Sequence, residues 1–295
     1  MGDSTSSHRG LFFNTVGSVS AESSQPPSSG LEVEFAQRSD PGRVRGHNED
    51  YLGYIAPETP ARARSHGWLF AVADGGGGHD KGEVASRVAI ETLTRGFQEA
   101  MAGESHLSLL QRVVQAANLQ VYETGRAASP GGTAMATTVV ACALRYDRAA
   151  IAHVGDSRCY LVRRGHASLL TRDHTVVNDQ VRLGILNAKE AARSERRHLL
   201  SRSLGTDMFV GVETSDHQVF PGDLLVLCSD GLHGALAKEE ISSVAGRASD
   251  LATAAERLVA LANERDGSDN ISVQLIRVRA VERVGMYRGR PYKLR

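Results

Sequence analysis

Acidic residues at the ends of apolar, strand-like runs constrain the fold of this chain more than any other feature. The positions that share this pattern are Glu49-Asp50, Asp74, Asp156, Asp230 and Asp269. A carboxylate at the end of a buried strand is costly unless it is paired or bound to a cation. Most of these positions have no basic neighbour in the sequence, so we expect the carboxylates to share a cation. Oxygen ligands without His or Cys suit Mg²⁺ or Mn²⁺ rather than zinc.

Glycines follow two of these aspartates, at Gly75 and Gly231. Without a Cβ atom, glycine lets the chain turn sharply and lets a backbone carbonyl approach a ligand. A single Asp-Gly pair is more often an ordinary turn. Because both pairs follow strand-like runs, together they favour a ligand site over two unrelated turns.

The glycine run 75–78 follows a strand candidate and precedes a helix candidate, as a phosphate-binding loop does. However, no Gly-Lys-Ser/Thr follows it, and the GxGxxG spacing fails because position 80 is Asp80. Asp74 would repel a phosphate that approached the loop directly, whereas a divalent cation between them would make the interaction attractive. The loop therefore predicts a phosphate bridged by metal rather than a direct phosphate cradle.

Arg45 lies four residues before Glu49, and an arginine fork binds phosphate oxygens in a bidentate manner. A phosphate clamp is therefore one interpretation of Arg45, and a solvated loop arginine like Arg43 is the other. His47 and His79 flank the same carboxylates, but neither has ligand spacing to a second histidine. We expect these histidines to lie on the surface or behind the metal ligands.

Composition restricts the class of protein. The chain of 295 residues is 41% hydrophobic and 23% charged, which indicates a globular protein. Its 34 basic and 34 acidic residues balance, which disfavours a nucleic-acid or anionic-membrane binder. No apolar stretch approaches the roughly 18 residues of a membrane span. Cys142, Cys159 and Cys228 lack CxxC spacing, which predicts buried reduced thiols and, with the other features, a soluble cytoplasmic protein.

The chain divides into a leader, a central domain and a tail. Residues 1–30 contain nine Ser, four Gly and two Pro, so we expect a disordered leader. Strand candidates occur in consecutive groups at 31–35, 68–73, 137–145, 149–154, 158–163, 223–228 and 271–278, and helix candidates at 85–97, 110–121, 176–197 and 251–264. This grouping predicts an α+β layered fold rather than a doubly wound parallel sheet. Residues 281–295 form a basic C-terminal tail without clear periodicity.

The motifs, taken in order, resemble those of the metal-dependent protein phosphatases of the PPM family (type 2C), in their bacterial form. The resemblance covers roughly residues 31–278. The matching blocks are Ser39-Asp-Pro-Gly-Arg-Val-Arg45 with Asn48-Glu-Asp50, Val72-Ala-Asp-Gly75 through His79, Gly82-Glu-Val-Ala85, Ala136-Thr-Thr138, Val154-Gly-Asp-Ser-Arg158, Leu170-Thr-Arg-Asp-His174, Ser203-Leu-Gly205, Cys228-Ser-Asp-Gly231 and Ser268-Asp-Asn270. One block would mean little, but the whole series in the family's order is very specific.

This resemblance implies a sandwich of two antiparallel β-sheets flanked by pairs of α-helices, over residues 31–280. It also implies two Mn²⁺ or Mg²⁺ ions, with a third in bacterial members. The roles it carries over are a bridge between two metals for Asp74, a carbonyl ligand at Gly75, ligands to the other metal at Asp230 and Asp269, a direct or water-mediated ligand at Glu49 or Asp50, a third-metal ligand at Asp156 with Asp230, a phosphate-binding arginine at Arg45, and a mobile flap over about 173–197.

The implied activity is hydrolysis of phosphoserine and phosphothreonine in proteins by a metal-bridged hydroxide. Two cations that share a carboxylate lower the pKa of a bridging water and neutralise the phosphoryl oxygens. We expect phosphorylated substrates of a Ser/Thr kinase, no nucleic-acid or membrane partner, and a monomer. A non-catalytic phosphoprotein-binding module and a phosphatase of small phosphoesters are the alternatives, although no metal aspartate of the family is lost here.

Two positions depart from the family pattern. Gly76 stands where bacterial members usually have Met and where eukaryotic members have a His proposed as general acid. Protonation of the leaving oxygen must then come from elsewhere, such as a metal-bound water. Ala136 replaces a usual glycine, which is a mild change.

Overall fold

Two five-stranded antiparallel sheets form the centre of the protein in a computed structural model, which describes residues 30–76, 81–128, 135–287 and 290–293. The strands are β1 (Glu32–Asp40), β2 (Asp50–Ile55), β3 (Trp68–Asp74), β4 (Val139–Arg145), β5 (Arg148–Val154), β6 (Arg158–Arg163), β7 (His166–Leu169), β8 (Glu213–Gln218), β9 (Leu224–Cys228), β10 (Ile271–Ala280), β11 (Val284–Tyr287) and β12 (Arg290–Lys293). One sheet has the order β1-β10-β9-β6-β7 and the other β2-β3-β4-β5-β8. This arrangement confirms the predicted sandwich.

Helices cover the outer face of each sheet. The helices of the described residues are α1 (Pro60–Ser65), α2 (Gly82–Gln98), α3 (His106–Ala128), α4 (Val176–Arg182), α5 (Ala188–Arg193), α6 (Asp230–Ala235), α7 (Lys238–Arg247) and α8 (Leu251–Arg265). The long helices α2 and α3 pack together on the second sheet, and α6 to α8 pack on the first. Residues at helical spacing, such as Leu93 and Phe97 in α2, are buried against the sheet as their periodicity predicts.

Burial between the sheets explains why the sequences of the central strands are continuous apolar runs. Strands β3, β4 and β9 are buried on both faces, because one face meets the other sheet and one meets helices. Phe70 packs edge-on against Phe35 of the opposite sheet, with ring centroids 5.2 Å apart. Contacts of this kind lock the two sheets in one relative position.

The three cysteines are buried free thiols, as predicted. Burial raises the pKa of Cys142 and of Cys228 to about 12, and it raises the pKa of Cys159 well above its usual range. Such thiols pack as small apolar groups. Among the described residues, no helix combines the length and apolar character that crossing a membrane requires.

The structure divides one predicted helix and adds a strand pair that was not predicted. The polar region 176–197 contains two short helices, of which α5 begins at a capping box formed by Asn187 and Glu190. The strands β11 and β12 pair in the segment 281–295, which shows no clear sequence periodicity. Residues 1–29, and Gly77, Gly78 and His79 of the glycine loop, lie outside the described residues.

Candidate metal centre and phosphate site

Strands β2 and β3 bring the first acidic positions together. Asp50, the first residue of β2, is the register partner of Asp74, the last residue of β3. The Gly75 N–H donates to the Glu49 carbonyl at 3.1 Å, which continues the pairing one step beyond the strands. Residues that pair across antiparallel strands carry their side chains on the same face of the sheet. The pairing therefore places the Asp50 and Asp74 carboxylates side by side.

The other sheet contributes Asp230 and Asp269 at the same end of the sandwich. Asp230 follows β9 and begins α6, and Asp269 lies two residues before β10. The Ser229 hydroxyl donates to Asp50 Oδ2 at 2.8 Å and links the two sheets at this point. Strand ends that are remote in the sequence thus converge, as the pattern of aspartates predicts.

Asn270 joins the loops that carry these acids. Its Oδ1 accepts from the Glu49 N–H at 2.8 Å, and its Nδ2 donates to the Pro41 and His47 carbonyls, each at 2.9 Å. Its side chain is almost fully buried. Asn270 belongs to the motif Ser268-Asp-Asn270, but its role could not be predicted, because one asparagine beside a strand indicates nothing about the loops it will meet.

The electrostatics of the cluster favour a bound cation. Burial raises the pKa of Asp50 to about 7, and the Asp230 and Asp269 carboxylates raise it too. Burial raises the pKa of Asp74 well above its usual range, and the next contribution is the charge of Asp50. Burial raises the pKa of Asp230, and the negative charge of Asp269 is the next contribution. A hydrogen bond with Asp74 acts in the opposite direction and lowers this pKa. A divalent ion among these oxygens would remove both the repulsion and the cost of burying them.

Two glycines keep room for ligand oxygens at this centre. A Cβ atom at Gly82 would lie 2.7 Å from Glu49 Oε2 and 2.7 Å from the Gly75 carbonyl oxygen. A Cβ atom at Gly75 would collide with the Gly82 carbonyl. The Glu49 carboxylate and the Gly75 carbonyl therefore lie side by side over a gap that only glycine leaves open. With the aspartates they form an all-oxygen donor set, which fits Mg²⁺ or Mn²⁺.

Asp156 lies on the Asp230 side of the cluster. It follows β5 in the turn Gly155–Ser157, and His233 of α6 donates from Nε2 to the Asp156 carbonyl at 2.9 Å. Burial raises the pKa of Asp156 to about 8, with Asp230 as the largest contributing charge. The structure thus brings Asp156 close to Asp230, the residue with which the family resemblance pairs it.

Arg45 extends from the loop between β1 and β2 to the mouth of the site. Its Nη2 lies 2.9 Å from Asp269 Oδ2, and about half of the side chain is exposed. The Asp269 charge and hydrogen bond raise the pKa of Arg45, with smaller contributions from Glu49 and Asp230. Arg45 is therefore at the carboxylate cluster, where a bound phosphate could reach it.

Other residues near the centre have supporting contacts. His47 offers its backbone carbonyl to Asn270, which agrees with its placement outside the ligand set. The Thr138 hydroxyl accepts from the Asp74 N–H at 3.1 Å, and the Thr138 N–H donates to the Asp74 carbonyl at 2.8 Å. Thr138 belongs to a recognised motif, but its bonds to Asp74 follow from β3–β4 pairing and not from any local signal. Gly76 follows the Asp74-Gly75 pair and has no side chain that could donate a proton.

Comparison with known proteins agrees with this geometry. A family model described as protein phosphatase 2C matches residues 45–275. A serine/threonine phosphatase stp of Listeria innocua is 34% identical over 265 residues, which cover 88% of this chain and 99% of that protein. The catalytic domain of a serine/threonine protein phosphatase PstP, solved in complex with two manganese ions, superposes with a TM-score of 0.70 at 32% identity, covering 84% of this chain and 99% of that one. Stp1 of Staphylococcus aureus superposes with a TM-score of 0.75 at 28% identity, and the match covers 87% of this chain and 98% of that one.

Proposed function

Because the chain belongs to the protein phosphatase 2C family and is a metal-dependent serine/threonine protein phosphatase, we propose that the carboxylate cluster at the sheet ends is its catalytic centre. The observation that carries this proposal is the convergence of Asp50 and Asp74 from one sheet with Asp230 and Asp269 from the other. Several acids that repel one another around the buried Asp50 are unfavourable unless cations bind between them.

The metal ligands follow from the two sides of the cluster. Asp74 and the Gly75 carbonyl, with Glu49 or Asp50 directly or through water, would hold one ion, as the side-by-side placement of Glu49 and Gly75 supports. Asp230 and Asp269 would hold the other, and Asp74 would bridge the pair. Asp156 and Asp230 would hold a third. We propose Mn²⁺ or Mg²⁺, in line with the all-oxygen donors and with the manganese ions of the PstP structure.

Each protein group has its own part in phosphate-ester hydrolysis. When bound, the metal pair would lower the pKa of a water molecule and would neutralise charge on the phosphoryl oxygens. Arg45 binds and orients the phosphate once it leaves Asp269, because its guanidinium is at the open mouth and can form two parallel bonds to phosphate. Since Gly76 offers no acid, we propose that the proton of the leaving serine or threonine oxygen comes from solvent at the site.

The substrates are phosphoproteins, and we propose that they are products of a serine/threonine kinase. All proposed ligands come from one chain, so a monomer would suffice for activity. Three buried reduced thiols agree with a reducing compartment, and we propose a cytoplasmic location. The segment 173–197, with the short helices α4 and α5, would be the flap beside the cleft, while residues 1–30 and 281–295 would lie outside the catalytic domain.

Turnover by the chelator-treated protein tests the proposal. Phosphothreonine peptide, phosphotyrosine peptide and p-nitrophenyl phosphate are each assayed with EDTA and then with Mn²⁺ or Mg²⁺. We expect metal-dependent activity on the phosphothreonine peptide, its loss in Asp74→Asn, and its retention in Asp216→Asn, which changes a surface ion pair with Arg148. Full activity of Asp74→Asn would refute the assignment. Phosphoprotein binding without turnover would support the non-catalytic alternative, and preference for the small ester would support a small-phosphoester phosphatase.

A further inference from the structure

A second cluster of titratable side chains lies at the base of the proposed flap. His153 is on β5, Glu213 is its register partner on β8, and His174 follows β7 just before α4. Their ligand-type atoms all lie within 4.8 Å of one another, and both imidazoles are buried. The two rings stack with their centroids 4.8 Å apart. Two histidines and a carboxylate at this spacing can bind a transition metal.

The hydrogen bonds argue against metal binding by this cluster. The Gly155 N–H donates to His174 Nδ1 at 3.2 Å, so Nδ1 must carry the lone pair. In the neutral ring the proton is then on Nε2, which lies 3.3 Å from Glu213 Oε2 and donates to it. A metal ion at Nε2 would have to displace this proton and break the bond to Glu213, and a metal ion at Nδ1 would have to break the bond from Gly155. Arg172 also donates to the same Glu213 oxygen at 2.7 Å, so the carboxylate already has a cationic partner.

These contacts instead hold His174 in one tautomer and one orientation. Burial lowers the pKa of His174 to about 4, so the ring is neutral near pH 7. The ring therefore accepts at Nδ1 and donates at Nε2, and each nitrogen has one partner. Glu213 selects this tautomer by accepting a hydrogen bond from Nε2, as a carboxylate does for many functional histidines.

His174 makes two bonds to a single residue, Gly155. The His174 N–H donates to the Gly155 carbonyl at 2.9 Å, in addition to the bond from the Gly155 N–H to Nδ1. Gly155 has a φ of +105°, and a Cβ atom there would lie 2.6 Å from Thr138 Cβ. Because Gly155 has no side chain to anchor it, its conformation depends on backbone partners. The next residue is Asp156.

The turn that carries Asp156 is thus held from two sides. Thr138, which binds the backbone of Asp74, places its Oγ1 2.7 Å from the Ser157 hydroxyl. His174 holds the other side of the turn through its two hydrogen bonds to Gly155. The His174 carbonyl also accepts from the Ser201 N–H at 2.9 Å, so the same residue ties the start of the proposed flap to the segment that follows it.

We propose that His174 is a positioning residue that fixes the Gly155–Asp156 turn, and with it the Asp156 carboxylate, and that Glu213 acts through His174 by holding its tautomer. This inference rests on the proposed role of Asp156 as a ligand of the third metal. It does not require His174 to touch substrate or metal.

Two substitutions of His174 separate its two hydrogen bonds. In His174→Asn the amide oxygen takes the place of Nδ1 and can accept from Gly155, whereas contact with Glu213 is lost. In His174→Gln the amide nitrogen can reach Glu213, whereas the acceptor for Gly155 is lost. Loss of a residue that orients a metal ligand weakens metal binding by about 10- to 100-fold. We therefore expect His174→Gln to weaken the weakest Mn²⁺ site by about tenfold or more, and His174→Asn to stay within about threefold of the wild type.

Calorimetric Mn²⁺ titration of the chelator-treated full-length protein provides the readout. A second readout is kcat/KM on a phosphothreonine peptide for His174→Gln, Asp156→Ala and the double variant. If His174 acts through Asp156, the double variant is no worse than Asp156→Ala alone. Equal Mn²⁺ affinities of wild type and His174→Gln, equal weakening in both His174 variants, or additive losses in the double variant would each overturn the inference. Absence of metal binding and turnover in the wild type would instead overturn the proposed function.

Discussion

The guanidinium of Arg45 and the carboxylate of Asp269 form an ion pair, with Nη2 and Oδ2 2.9 Å apart, although the residues are far apart in the sequence. One partner is the proposed phosphate clamp, and the other is a proposed metal ligand. Both are partly exposed, so the pair can separate readily. A metal that takes Asp269 would release Arg45 for phosphate, which couples metal binding to substrate binding.

Replacement of Arg45 should have opposite effects on metal and substrate. We expect Arg45→Ala to raise KM for a phosphothreonine peptide by roughly 10- to 100-fold, because a charged contact to phosphate is lost. Its Mn²⁺ affinity should rise, because Asp269 loses a competing cation. Steady-state kinetics and Mn²⁺ titration measure both effects, and Arg43→Ala is the matched control. A fall in kcat at unchanged KM would contradict the clamp.

Asp230 should be needed for turnover but not for folding. We expect Asp230→Asn to reduce activity in saturating Mn²⁺ to a few per cent or less, because the residue would serve both the metal pair and the third site. In the metal-free protein the same change should leave the melting temperature equal or higher, since it removes one of several repelling carboxylates. Circular dichroism melting checks stability. Substantial activity in the variant would remove Asp230 from the centre.

The metal-free protein should lose stability as the pH rises. The pKa of Asp50 is about 7 and that of Asp156 about 8 in the folded protein, against 3.8 for an ordinary Asp. Between about pH 4 and pH 8 the folded state therefore binds more protons than the unfolded state, so its stability declines as the pH rises through this window.

Melting curves in EDTA from pH 5 to pH 8 measure this effect. The melting-temperature advantage of Asp50→Asn over wild type should grow with pH, because the amide cannot ionise. Saturating Mn²⁺ should stabilise the wild type most at the alkaline end. An advantage of Asp50→Asn that stays constant across this range would show that Asp50 does not titrate as the burial of its carboxyl indicates.

Gly82 should tolerate no side chain if the Glu49 carboxylate and the Gly75 carbonyl bind metal together. A Cβ atom at position 82 would lie 2.7 Å from an oxygen of each. We expect Gly82→Ala to weaken Mn²⁺ binding by at least tenfold, as loss of a supporting contact does at other metal sites. Gly234→Ala, in α6 with open space around it, is the control and should bind Mn²⁺ as the wild type does.

Removal of residues 1–30 should leave the catalytic domain intact. Their content of Ser, Gly and Pro offers little apolar surface for packing. The truncated protein should match the full chain in melting temperature and in hydrolysis of p-nitrophenyl phosphate. A melting temperature several degrees lower would show that the segment packs against the domain.

Local sequence pattern was sufficient for the elements that form the core. Apolar runs such as 68–73 and helical spacing such as that of Leu93 and Phe97 become β3 and α2, because burial of these side chains dominates at any place in the fold. Strand β8 was not predicted, because its residues Glu213–Gln218 are mostly polar and partly exposed. It is a strand because β5 offers an open edge for pairing.

The sequence by itself determined which residues we propose as oxygen ligands, since buried strand ends with aspartate and glycine limit the chemistry at Asp74 and Asp230. Only the tertiary structure decided their partners. The pairing of Asp50 with Asp74, the contact of Arg45 with Asp269, and the two bonds of His174 to Gly155 depend on strand register and on how the sheets stack. Side chains distant in the sequence meet only after the cores between and outside the sheets have packed, because hydrophobic burial selects one register and one sheet orientation from many.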